Sequence, residues 1–96
     1  MPNPILSLWT EGSCSTNYAS VQTVQQWIDN HIGRAKSNIA SNEPDSGDPI
    51  ITRWYSGGVQ YEVSTDKEPA ETTKHWIDRH FDRVRDKMAT NPPDTI

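Results

Sequence analysis

Hydrophobic and polar positions follow two rhythms along this chain. Ile5-Leu6-Ser7-Leu8-Trp9, Ile51-Thr52-Arg53-Trp54-Tyr55 and Val59-Gln60-Tyr61-Glu62-Val63 are short runs of aliphatic and aromatic residues, the composition and length of β-strands. Ser56-Gly57-Gly58 separates the last two, and Gly-Gly supplies the positive φ that a tight hairpin turn requires. A first hairpin is expected where Glu11-Gly12-Ser13 links Ile5–Trp9 to the less apolar Cys14-Ser15-Thr16-Asn17-Tyr18.

Between and after these runs the period changes to three and four. Val21, Val24, Ile28, Ile32, Ala35 and Ile39 predict a helix over about 20–40, with Ser20 as N-cap. Thr73, Ile77, Phe81, Val84 and Met88 predict a second over about 68–89, with Pro69 in its first turn and Thr65-Asp66-Lys67-Glu68 spaced as a capping box. Asn42–Pro49 stops the first helix, and Asn91-Pro92-Pro93 stops the second.

Sliding the chain along itself reveals a repeat. At an offset of 49, Trp27–Ser46 matches Trp76–Thr95 with nine identities in 20 positions, among them Trp, Ile, Asp and His of the helices and Asn42/Asn91, Pro44/Pro93 and Asp45/Asp94 beyond them. Composition alone gives roughly one or two. Upstream the offset becomes 45, pairing Pro4 with Pro49, Ile5 with Ile50, Trp9 with Trp54 and Gly12 with Gly57. The second copy is therefore four residues longer between Trp54 and Trp76, close to one helical turn, so a longer second helix is one way to absorb it.

The expected fold class is α+β: a tandem ββα repeat forming a mostly antiparallel four-stranded sheet, with two helices packed on one face and a pseudo-two-fold axis. One domain, 1–96, is expected from two repeats of about 4–46 and 49–95, joined by a Pro/Asp/Gly linker at 42–49. A homodimer that completes the sheet is the intermolecular version of the same solution.

Composition narrows the function classes. With 96 residues, 32% hydrophobic and a mean hydropathy of −0.83, the core must be thin, yet four Trp, three Tyr and one Phe are too many aromatics for a disordered chain. No apolar run approaches the length of a membrane span, and the opening Met1-Pro2-Asn3-Pro4 lacks a leader-like pattern, so a cytoplasmic protein without membrane contact is expected. Cys14, the single cysteine, can form neither an internal disulfide nor a Cys-based zinc site. A net charge of −4 argues against non-specific nucleic-acid binding, whose affinity rests on a basic footprint.

Candidate chemistry is sparse. Trp27/His31 and Trp76/His80 are i, i+4 pairs, read as imidazole–indole contacts at the edge of the core. His75, Asp78 and Asp82 share a helix face, but the first copy has Gln26, Asp29 and Gly33 there, so no metal site and no cofactor are expected. No phosphate loop, GxSxG or HExxH pattern occurs, and no catalytic residue is assigned. Most charges of the second helix are expected to neutralise one another through Arg79/Asp82, Asp82/Arg85 and Arg83/Asp86. Arg79, Arg83 and Lys87 form the ridge left for an acidic partner.

The expected function is that of a small acidic protein-binding module without catalytic activity. Its anchors are sought among Trp9, Trp54, Tyr55 and Tyr61, on whichever sheet face the helices leave open, together with Arg79, Arg83 and Lys87. In size and acidity the chain is similar to phage- and mobile-element-encoded inhibitors of host defence, anti-CRISPR proteins among them, a likeness of composition with no residue match. As an alternative, Trp54-Tyr55-Ser56-Gly57-Gly58 leading through Pro69-Ala70-Glu71 to Trp76-Ile77 resembles the strand–strand–helix layout of arm-binding domains in tyrosine recombinases. That resemblance implies DNA reading by a sheet, for which the second hairpin offers only Arg53 before Lys67. A structural subunit of a virion or larger assembly is the third reading.

Overall fold

A computed structural model describes residues 3–96. The chain runs β1 (Ile5–Trp9), β2 (Gly12–Thr16), α1 (Val24–Ser41), β3 (Ile50–Ser56), β4 (Val59–Thr65) and α2 (Thr73–Thr90). The four strands form one antiparallel sheet in the order β2-β1-β3-β4, an α+β fold. Alternation sends Ile5, Ser7, Trp9, Cys14, Thr16, Ile50, Thr52, Trp54, Val63 and Thr65 to one face, where all are buried. Both helices pack there, α1 against β2 and β1, and α2 against β4 and β3. Their inward stripes add Trp27, Ile28, Ile32, Ala35 and Ile39 from α1, and Trp76, Ile77, Phe81, Val84 and Met88 from α2.

Each helix begins later than its apolar period suggests. Thr23 caps α1, its hydroxyl accepting from the Gln26 amide at 3.1 Å, while the Gln26 side chain returns to the Thr23 amide at 2.9 Å. Thr72 caps α2 in the same way from the His75 amide. Ser20, Val21 and Pro69 lie in separate turns before the caps, closed by Gln22 N–H to Ala19 carbonyl and Glu71 N–H to Glu68 carbonyl. Val21 is consequently 95% exposed and outside the stripe. Thr65 and Glu68 form no capping box, since Thr65 ends β4 with its hydroxyl in the core.

The four extra residues of the second half lengthen the hairpin and not the helix. Both helices have 18 residues, whereas β1 and β2 have five each and β3 and β4 seven each. Adding two residues to each strand keeps inner positions inner, so the core is undisturbed. One sequence pairing changes as a result. Gly12 pairs with Trp9 in β2, and a Cβ there would stand 3.2 Å from the Trp9 ring, whereas Gly57 occupies the β3–β4 turn at φ +60°. The residue opposite Trp54 is Tyr61, which stacks on it with ring centroids 6.2 Å apart.

The two halves make matching hydrogen bonds. Trp9 and Trp54 donate indole N–H to the carbonyls of Asn42 and Asn91 just past the helix ends, each at 2.8 Å. Trp27 and Trp76 donate to the carbonyls of Thr16 and Thr65, each at 2.9 Å. Asp29–Arg85 at 3.3 Å and Lys36–Asp78 at 3.5 Å link the helices. Seven residues forward on α1 are seven back on α2, which makes the helices antiparallel. These correspondences are compatible with a pseudo-two-fold relation passing between Ser7 and Thr52.

Candidate functional site

Among the described residues, no helix packs on the opposite sheet face. Register places Ser13, Leu8, Ile51 and Ser64 in one row across it, Ser15, Leu6, Arg53 and Glu62 in the next, and Tyr55 beside Gln60 beyond. Leu6, Leu8, Ile51 and Tyr55 are half-buried on the two central strands, while the edge strands present exposed Ser13, Ser15, Gln60, Glu62 and Ser64. The result is an apolar patch of Leu6, Leu8 and Ile51, with Arg53 between it and Tyr55 on β3, and a polar rim on the edge strands. Arg53 donates from Nε to Glu62 Oε1 at 2.6 Å, so the one cationic side chain among the described residues of this face is paired on its own sheet.

The inner face sorts the aromatics. Trp54 is 1% exposed and Trp9 is buried, so neither is available as a surface anchor. Tyr61 is half-buried against Trp54, with Lys87 Nζ 5.9 Å above its ring centroid. Tyr55, whose neighbour Trp54 takes the inner side, stands on the open face. Leu6, Leu8 and Ile51 join it there; they are absent from the anchors expected from the sequence, although strand parity groups each with the residues two positions away once the inner face is known.

Nor do the basic residues of α2 form a free ridge. Arg79 grips Glu71 with Nε at 2.8 Å and Nη2 at 2.7 Å, and reaches the Asp66 carbonyl. Those hydrogen bonds, with others from the Glu68 amide and His75, hold the Glu71 carboxyl down to about 2 against the opposing effect of burial. Arg83 Nη1 reaches the Ser64 carbonyl at 3.0 Å and the Thr65 hydroxyl at 2.8 Å. The expected i, i+3 pairs of α2 are replaced by these contacts and by Asp29–Arg85 and Lys36–Asp78, for which neighbouring elements supply the partners, and by the i, i+4 pair Lys74–Asp78 within α2.

The histidines are central, not peripheral. His31 accepts or donates at Nδ1 with Thr16 Oγ1, 2.9 Å away, and at Nε2 with Ser7 Oγ, 2.7 Å away. Ser7 Oγ lies 2.8 Å from Thr52 Oγ1, which lies 2.8 Å from His80 Nε2, and His80 Nδ1 lies 2.8 Å from Thr65 Oγ1. Arg34 and Arg83 donate to the two terminal threonines. Burial, then Arg34, pushes His31 down to about 4; burial, then Arg83, Arg79 and His31, pushes His80 down to about 3. Ser7 and His31 resemble a nucleophile–base pair in distance alone, since both are fully buried with no exposed surface for a substrate to meet. Cys14 is likewise buried. Among the described residues no three His, Cys, Asp or Glu side chains gather as a metal site, and no helix is long and apolar enough to cross a membrane.

Compared with known protein families, curated proteins and solved structures, the chain matches none.

Proposed function

We propose that this protein is a small acidic binding module without catalytic activity, which docks a protein partner through the open face of its sheet. One observation carries the reading: Leu6, Leu8 and Ile51 are neighbours on the face that the helices leave open, with Tyr55 on the same face of β3 beyond Arg53. Three of the four are aliphatic, and the fourth is an aromatic of the kind that anchors interfaces. The edge-strand serines and Glu62 suit the polar rim of such a contact, and Glu62 pairs the Arg53 that stands between Ile51 and Tyr55. An inhibitor carried by a phage or mobile element is the narrower form of this reading.

The test compares the wild type with Ile51→Glu and Tyr55→Ala, both on the open face. A single partner co-purifying with wild type and lost from both variants, with melting temperatures kept, is the expected result. Salt-sensitive shift of duplex DNA would move the protein to the recombinase-like reading. Stable high-order particles in light scattering would make it an assembly subunit, and a two-fold mass abolished by Ile51→Glu would make the partner a second copy.

A further inference from the structure

The buried chain Thr16–His31–Ser7–Thr52–His80–Thr65 contains five hydrogen bonds that must share the protons of four hydroxyls and two neutral rings. Six protons are available to five contacts, so at least one hydroxyl proton is always surplus. If both rings carry the proton on Nδ1, Ser7 and Thr52 each donate to an imidazole, and their own 2.8 Å contact is left without a proton. If both carry it on Nε2, the surplus proton falls on Ser7 or Thr52, each fully buried with its hydrogen-bond partners already engaged. Unlike rings remove both faults. All five bonds then point the same way along the chain, and the surplus proton moves to a terminal threonine.

We infer that His31 and His80 are held in opposite tautomers, and that the chain they complete is a proton-ordered clasp across the β1–β3 seam that closes only while both rings are neutral. The seam needs one. It consists of three residue pairs, Leu6↔Arg53, Ser7↔Thr52 and Leu8↔Ile51, with the clasp at the middle pair. The charged groups around it are Arg34 from α1 and Arg79 and Arg83 from α2. Among inward side chains of the strands, β2 adds the Cys14 thiol and β4 the Tyr61 phenol, while β1 and β3 add no ionisable group. No carboxylate bonds any member of the chain. A proton added to either ring thus creates a second surplus hydroxyl proton and a buried cation facing only other cations.

The experiment is long-range 15N–1H correlation on histidine-labelled protein at neutral pH. One ring protonated on Nδ1 and the other on Nε2 is expected, and two like tautomers overturn the inference. In Thr52→Val the Ser7 proton has only His31 Nε2 to bond, so both rings should become Nδ1–H, while Thr52→Ser should restore the unlike pair. Persistence of unlike rings in a folded Thr52→Val would show that each half sets its own tautomer; if that variant does not fold, the wild-type and Thr52→Ser spectra still decide. Amide-exchange protection of Leu6, Leu8, Ile51 and Arg53 should fall before that of the β1–β2 and β3–β4 ladders as pH drops from 7 to 5. Equal loss across all three ladders refutes the clasp.

Discussion

Acid should weaken this fold well above the range where carboxylates titrate. Both buried histidines have folded-state values below the ordinary 6.5, at about 4 for His31 and about 3 for His80. Between those values and 6.5 the unfolded chain binds more protons than the folded one, so their contribution to stability is complete above 6.5 and is lost as pH falls. At pH 5 each ring still neutral in the fold lies about 1.5 pH units below its unfolded pKa, or about 2 kcal/mol, giving about 4 kcal/mol for the two. That is a large share of the ~5–15 kcal/mol that holds a typical domain folded. Urea titrations at pH 7 and pH 5 measure it, followed by tryptophan fluorescence because all four indoles are buried. His31→Gln and His80→Gln should each lower stability at pH 7 and each remove about half of the difference between the two pH values. Wild-type stability unchanged within about 1 kcal/mol, or a difference that neither variant reduces, would refute the assignment of buried neutral rings.

Other perturbations probe separate parts of the structure. Thr52→Val strands His80 Nε2 and Ser7 Oγ without their partner and should cost about 1–3 kcal/mol, measured by chemical denaturation. Gly57→Ala places a Cβ at φ +60° and should cost about 1–2 kcal/mol, while Gly33→Ala, with open space at its Cβ, should stabilise α1 by up to about 1 kcal/mol. Tyr55→Ala on the open face should shift stability by under about 1 kcal/mol, whereas Trp54→Ala on the opposite side of the same strand should cost about 3–5 kcal/mol, so a thermal-melt comparison of neighbours checks the sidedness of β3.

The sequence carried the architecture because its signals were local. Alternation in the strand runs, the three-and-four period of the helices and the doubled Gly57-Gly58 turn each depend on near neighbours, and two ββα units were legible from them. Helix starts were not, since Thr23 and Thr72 compete with Ser20 and Glu68 through side-chain hydrogen bonds that the apolar period does not encode. The polar core was written in the chain as Ile-x-Ser-x-Trp in β1 and Ile-x-Thr-x-Trp in β3, each with a small polar residue at an inner position. Its connection to His31 and His80 depends on pairing across 24 and 28 residues, which no local pattern specifies. The ion pairs of α2 failed to follow i, i+3 spacing for the same reason: Glu71, Asp29 and Lys36 come from other elements. Strand parity offered Trp54 or Tyr55 as the outward residue, and only packing against α2 and Asn91 decided between them.

Arg34 and Arg83 do more than terminate the buried chain. Each also holds a backbone carbonyl of an outermost strand, Ser15 on β2 and Ser64 on β4, at 3.2 and 3.0 Å. A fifth strand arriving at either border would have to displace a guanidinium before its ladder could continue. Lateral growth into filaments is thereby obstructed on both flanks by the helices' own cations. The same two side chains that end the buried polar chain thus also occupy one outward carbonyl on each border of the sheet.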